Sequence, residues 1–148
     1  MKILSFIIPS YNCERFLDKC LTSFLDEEVI DKLDVIVVND GSKDSTPEVA
    51  QKYCDRYPGS IRLINQENKG HCGALNTGCA AATGKYLKVI DADDWVDTVN
   101  LKLSQCSSRM EFLKISSNGC RIDNFFAFDD KNNCQRVNER IMELEKNG

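Results

Sequence analysis

Of its 148 residues, no stretch reaches the roughly 18 apolar positions that a membrane-spanning helix needs. Cys-x-x-Cys is also missing, which removes zinc-finger spacing from consideration although eight cysteines (13, 20, 54, 72, 79, 106, 120, 134) are present. Basic blocks are absent as well. Nineteen Lys+Arg against 23 Asp+Glu leave a net charge of −4, and this argues against nucleic acid as a partner. A nucleotide is still accessible, because a metal ion can neutralise its phosphates. The opening run Met1 to Ile8 is short, Pro9 interrupts it, and no small-residue cleavage site follows, so it does not read as a secretion signal. No internal repeat occurs. The expected location is therefore cytoplasmic, compatible with peripheral association at a membrane, where thiols stay reduced. Several cysteines fall on apolar helix faces and are expected to act as small hydrophobes.

Hydrophobic content of 42% and charged content of 28% are those of an ordinary globular domain, and the length suits one. Residues 3 to 8 form a continuous apolar run, the sign of a central strand covered on both faces. Pro9-Ser10-Tyr11-Asn12 is expected to end it, with Asn12 as the N-cap of a helix whose apolar positions are Phe16, Leu17, Cys20, Leu21, Phe24 and Leu25. A second buried strand, Leu33 to Val38, runs into the turn residues Asn39-Asp40-Gly41-Ser42. Ser45-Thr46-Pro47-Glu48 opens a second helix with proline in its first turn, and Pro58-Gly59 closes it. Ile61 to Ile64 reads as a third strand, Asn65 to Gly73 as a polar loop, and the stretch around Ala74 to Ala82 as a small-residue helix able to pack closely on a sheet.

The fourth strand, Tyr86 to Ile90, stops at Asp91-Ala92-Asp93-Asp94-Trp95. Alternation in an extended chain would put Asp91 and Asp93 on one side, where two carboxylates can share a hard divalent cation. The motif alone decides nothing, since 14 Asp in 148 residues produce about one Asp-x-Asp by chance. Its weight comes from context. Four strand-helix alternations imply an α/β fold, a Rossmann-like mostly parallel sheet flanked by helices. Ligands of such sheets bind beyond the carboxyl ends of the strands. The clusters Pro9 to Asn12, Asn39 to Ser42 and Asp91 to Asp94 all lie at those ends and are expected to converge.

Beyond about Thr98 the pattern fades. Phe112 to Ile115 could be a strand, and Val137, Ile141 and Leu144 mark a terminal amphipathic helix.

Five pieces in order carry a resemblance: Phe6-Ile7-Ile8-Pro9-Ser10-Tyr11-Asn12; Val37-Val38-Asn39-Asp40-Gly41-Ser42-x-Asp44-Ser45-Thr46; Asn68-x-Gly70 with Ala74-x-Asn76-x-Gly78; Ala82-Thr83-Gly84-Lys85-Tyr86; and Asp91-Ala92-Asp93-Asp94-Trp95. Together, residues 1–100 resemble the nucleotide-sugar-binding half of family 2 glycosyltransferases of the GT-A fold, here truncated. The resemblance implies a nucleotide-diphosphate sugar donor, usually uridine-linked, a Mg²⁺ or Mn²⁺ cofactor, and a hydroxyl acceptor that is a saccharide or lipid-linked. It implies that Asp91 reaches the ribose or the metal and that Asp93 ligates the metal, with Ala92 between them at the donor.

Other residues carry a functional and a plain reading side by side. Tyr11 can stack on or flank the base, with backbone contacts from Pro9 and Ser10, or simply cap the sheet edge. Asp40 can accept the imide N–H of uracil, or form an Asx turn with Gly41, and the two are compatible. Lys69, Gly70 and His71 can line the diphosphate, or be loop surface. Asp94 reads as a turn or capping residue, with Trp95 packed beneath. Asn39 stands where the family often has Asp, and Leu75 where many members carry Arg, which shifts the phosphate-facing cation to Lys69 or His71.

An inverting transferase of this kind needs a carboxylate base for the acceptor hydroxyl, placed in the family well beyond the Asp-x-Asp. Glu111, Asp123, Asp129 and Asp130 are available, but none sits in a recognisable motif. The catalytic base is therefore unidentified. Residues 101–148 are expected to pack as an extension on the same domain, and the chain is expected to be an expressed fragment, a natural truncation, or a short variant that completes its site by association. The alternative function is an inactive or incomplete nucleotide-sugar-binding module lacking the acceptor half and the base. A sugar nucleotidyltransferase would call for a glycine-rich basic loop near the first strand, and Pro9 to Arg15 is not one.

Overall fold

The computed structural model describes residues 2–84 and 86–96. Strand β1 (Leu4–Ser10) leads to helix α1 (Glu14–Thr22), and a short 3₁₀ turn (Ile30–Lys32) delivers the chain to β2 (Leu33–Asp40). Helix α2 (Thr46–Arg56), β3 (Ile61–Gln66), α3 (Gly70–Ala81) and β4 (Tyr86–Val89) follow. All pairings are parallel, in the order β3-β2-β1-β4. The expected α/β architecture is thus present. The strand and helix read in the sequence beyond residue 96, the candidate bases and the expected packing of residues 101–148 lie outside the described residues.

Alternation along the strands divides the core in two. Phe6, Ile8, Val35 and Val37 pack beneath α1 and α2, while Ile7, Ile36, Val38 and Leu87 pack beneath α3. Small residues bring α3 close to the sheet, as expected: a Cβ on Gly78 would lie 2.3 Å from Ile7 Cγ2.

Several local expectations are corrected. Strand β1 runs through Pro9 to Ser10. Neighbouring residues of a parallel strand bond alternately to either side, so Pro9 faces β4 as Ile7 does. Ile7 O accepts from Ile90 N at 3.0 Å, and Pro9 has no N–H for the next bond, so pairing ends where the acidic turn begins. Asn12 is not the cap of α1. It adopts a left-handed φ of 48°, Cys13 takes the N-cap position, and Asn12 Oδ1 accepts instead from Lys43 N at 2.8 Å. Phe16, placed on the apolar face by its spacing, is half-exposed. Helix α3 begins at Gly70 rather than near Ala74, so His71 belongs to its first turn and not to a loop. Cys13, Cys20 and Cys54 carry free thiols.

Two buried charges stand out. Asp34 in β2 accepts from Arg62 Nε and Nη2 at 2.9 Å each, from Ser5 Oγ at 3.0 Å, and from Thr83 N and Oγ1 at 2.9 Å each. Ser5 Oγ in turn accepts from Gly84 N at 2.8 Å, so this network fastens the α3–β4 connection to the amino ends of the strands.

Lys88 in β4 is only 6% exposed and has no hydrogen bond or ion pair among the described residues. Burial pushes its ammonium down from 10.5 to about 8. The folded value lies below the unfolded one, so between these two pH values the unfolded chain binds more protons and stability rises with pH. Below pH 8 the full penalty applies. Lys88→Met is expected to stabilise the chain by about 2 kcal/mol at pH 7, a gain that vanishes above about pH 10.5. Urea denaturation at both pH values checks this, and no gain at pH 7 would contradict it.

Candidate functional site

A pocket of about 250 Å³ opens at the carboxyl ends of β1 and β2, under the start of α3. Pro9, Ser10 and Tyr11 form one wall, Asp40 the floor, and Asn68, Gly70, His71 and Ala74 the other side. Tyr11 is 51% exposed, an aromatic face standing at the mouth. Asp40 is buried, and its Oδ1 accepts from Gln66 Nε2 and from Lys69 N at 2.8 Å each. Gln66 is itself fixed by Thr77 Oγ1 at 2.6 Å. The carboxylate therefore holds the amino end of α3 in place, while Oδ2 makes no hydrogen bond among the described residues.

The loops around the pocket are tied to one another. Gly41 takes a φ of 75°, and a Cβ there would lie 2.9 Å from Asn68 N, so only glycine permits this approach. Asn39 donates to Asn65 Oδ1 at 2.9 Å and accepts from Ser42 N at 3.1 Å; it shapes the turn. Ser42 Oγ accepts from Asn12 N, Asp44 from Glu14 N, and Glu14 from Ser45 N, which clasps the starts of α1 and α2 together.

The acidic segment after β4 is a turn and not an extended strand, because Asp94 N donates to Asp91 O at 2.9 Å. Chain reversal, rather than alternation, gathers its carboxylates. One oxygen each of Asp91, Asp93 and Asp94 lies within 4.8 Å of the others. Metal–oxygen distances near 2.1 Å place two oxygens of one ion at most ~4.2 Å apart, so a small side-chain adjustment suffices to share a cation. Hard oxygen donors of this kind suit Mg²⁺ or Mn²⁺. Partial burial raises the Asp91 carboxyl above its ordinary range, Asp94 and then Asp93 adding to the rise, while His71 opposes it. His71 thus lines the pocket on the side of the acidic turn.

Of the residues singled out in the sequence, Pro9, Ser10, Tyr11, Asp40, Gly70 and His71 share the pocket. Asp91 and Asp93 share the adjoining turn. Lys69 contributes its backbone N–H to Asp40, and its side-chain Cβ lies over Gly73. Ala92 is buried in the core beneath the turn, so its side chain faces away from the carboxylates' solvent side. Leu75 is buried against the sheet. Sequence reading did not assign Asn68 and Ala74 to the site, and it gave Asp94 only a capping role. The spacing Asn68-x-Gly70 and Ala74-x-Asn76 was the available signal for the first two.

A parallel α/β sheet with this pocket and acidic turn at its carboxyl edge is a Rossmann-like domain of the GT-A class. Residues 5–132 match glycosyl transferase family 2, and the chain belongs to that family. The glycosyltransferase EpsJ of Bacillus subtilis is 41% identical over 96 residues, 65% of this chain and 27% of that protein. Residues 1–349 of Staphylococcus aureus TarS, solved with UDP-GlcNAc, superpose with a TM-score of 0.64 at 28% identity, covering 72% of this chain and 30% of that one. The mannosyltransferase PcManGT of Pyrobaculum calidifontis, solved with GDP-Man and Mn²⁺, gives 0.60 at 29% identity over 66% of this chain and 30% of that one. The chain therefore spans less than a third of the length of each of these proteins. Among the described residues, no helix is long and apolar enough to cross a membrane.

Proposed function

We propose that this chain is the donor-binding part of a metal-dependent glycosyltransferase, using a nucleotide-diphosphate sugar, UDP-linked, to glycosylate a hydroxyl acceptor that is a saccharide or lipid-linked. The observation that carries this is the shared edge: a pocket of about 250 Å³ and a three-carboxylate turn, both at the carboxyl ends of the same sheet. Tyr11 flanks the base, and Asp40 Oδ2 accepts its imide N–H. Asp91 and Asp93, with Asp94 beside them, hold Mg²⁺ or Mn²⁺, and the ion offsets charge on the departing diphosphate. Gly70 and His71 face the phosphates from the first turn of α3. The complexes of TarS with UDP-GlcNAc and of PcManGT with GDP-Man and Mn²⁺ support a nucleotide-sugar donor and a metal.

A second reading, a nucleotide-sugar-binding module without turnover of its own, is favoured by the chain's short span relative to its relatives. Hydrolysis or transfer of a UDP-sugar by the chain supports the enzyme, and binding without turnover supports the module.

Titration with UDP and CDP in Mn²⁺ tests the nucleoside assignment. Cytosine presents an acceptor where uracil presents N–H, so a carboxylate disfavours it. Tyr11→Ala is expected to weaken UDP about tenfold, the lower part of the range for one base stacked on an aromatic ring. Equal binding of UDP and CDP, with Tyr11→Ala indistinguishable from wild type, would contradict both roles.

A further inference from the structure

We infer that helix α1 is the positioning element of the acidic turn, acting through Lys19 and Ser23 on the segment Trp95–Val96. The inference rests on the reading of that turn as a metal site.

The four-residue turn is anchored on both sides. Upstream, Ile90 N bonds to β1 at Ile7 O. Downstream, Lys19 Nζ stands 3.6 Å from the centroid of the Trp95 ring, and Val96 N donates to Ser23 Oγ at 3.1 Å. Ile90, Ala92 and Val96 are buried in the core beneath α1, together with Leu17 and Cys20. The turn's apolar residues thus point into that core while Asp91 and Asp93 remain exposed. Two anchors on different elements set the carboxylate spacing. The downstream one includes an exposed side chain, Lys19, that can be altered without opening the core.

A cation on the indole face is a directional contact, attracted by the ring's quadrupole. Its loss frees the downstream end of the turn and spreads three like-charged groups that a metal must gather. Lys19 therefore acts on the metal through geometry. The sign of its effect distinguishes this from simple charge: removing a positive group near a cation site strengthens cation binding by Coulomb's law, whereas losing a positioning contact weakens it.

Trp95 is the chain's one tryptophan and adjoins Asp94, so its emission reports on the turn directly. The experiment is a Mn²⁺ titration of the whole chain in saturating UDP, followed by Trp95 quenching, with thermal unfolding as the control. Lys19→Ala is expected to weaken Mn²⁺ by roughly two- to fivefold, the size expected of one surface cation–π contact, with the melting temperature lowered by no more than a few degrees. Lys19→Arg keeps a cation over the ring and is expected to restore wild-type affinity. Ser23→Ala should shift Mn²⁺ affinity in the same direction as Lys19→Ala. Unchanged or tighter Mn²⁺ binding in Lys19→Ala overturns the inference, as does a loss that Lys19→Arg fails to restore. If wild-type chain shows no Mn²⁺ binding, the metal reading itself falls, and this inference with it.

Discussion

Asp34→Ala is expected to cost about 3–5 kcal/mol, because it strips the acceptor from three donors at about 1–3 kcal/mol each. Against a total stability of roughly 5–15 kcal/mol this is a substantial share of the fold's margin. Asp34 is buried, whereas the Arg62 side chain is 38% exposed and can recover water when its partner is lost. The loss therefore comes mainly from the other donors. Ser5 Oγ, Thr83 N and Thr83 Oγ1 all point at the same carboxylate and would be left without an acceptor. Gly84 cannot move away to compensate, because it sits against Ser5, where even a Cβ would be 2.6 Å from the backbone nitrogen. Arg62→Ala is expected to destabilise as well, since the buried Asp34 carboxylate keeps three donors but loses its ion-pair partner. The network lies at the amino ends of the strands, opposite the pocket. Urea denaturation followed by circular dichroism measures the difference, and an Asp34→Ala chain within about 1 kcal/mol of wild type would show that the network contributes little beyond an ordinary hydrogen bond.

Asp93→Ala is expected to weaken Mn²⁺ by at least about 100-fold, because even outer-shell partners of metal ligands commonly change affinity by 10–100-fold. Asp93 is exposed and belongs to none of the buried clusters, so the substitution should leave folding intact. Its carboxylate lies within 4.8 Å of those of Asp91 and Asp94. Two like-charged neighbours at that distance repel, and the Asp91 carboxyl is raised first by lost hydration and then by Asp94 and Asp93. A divalent cation relieves the repulsion and gains two or three oxygen ligands. Asp94→Ala is expected to reduce Mn²⁺ affinity as well, and less, since Asp94 is half-buried at the back of the turn.

The elements of the fold were legible because their apolar residues follow simple periods. Residues 3 to 8 and 33 to 38 are uninterrupted apolar runs apart from Ser5 and Asp34, and both became fully covered strands. Those two exceptions were the unread signal. A carboxylate in an otherwise apolar strand demands donors, and Arg62 on the neighbouring strand and Thr83 before β4 supply them. Sequence distances of 28 and 49 residues hid that pairing, which becomes visible only once strand order is known.

The site shows the same division. Its residue types could be read from the strand ends, since turn-forming and acidic residues cluster there. The way they are held could not. Asn12 resembled a cap, yet a left-handed backbone turns its side chain toward Lys43. The acidic segment resembled a strand end, yet Pro9 withholds the bond that would have continued pairing, and the chain folds into a turn. That turn brings Asp94 to the other carboxylates, a residue that spacing alone placed out of reach.

In the proposed function, the pocket and the acidic turn work as one metal-dependent site. Calorimetric titration of UDP into the chain, with and without Mn²⁺, on wild type and Asp93→Ala, tests it directly. Coupling of two ligands is reciprocal, so a metal held between the turn and the diphosphate must raise UDP affinity, here by about tenfold or more. The expected result is that enhancement in wild type and its loss in Asp93→Ala. Equal UDP affinity in wild type with and without Mn²⁺ would contradict the claim.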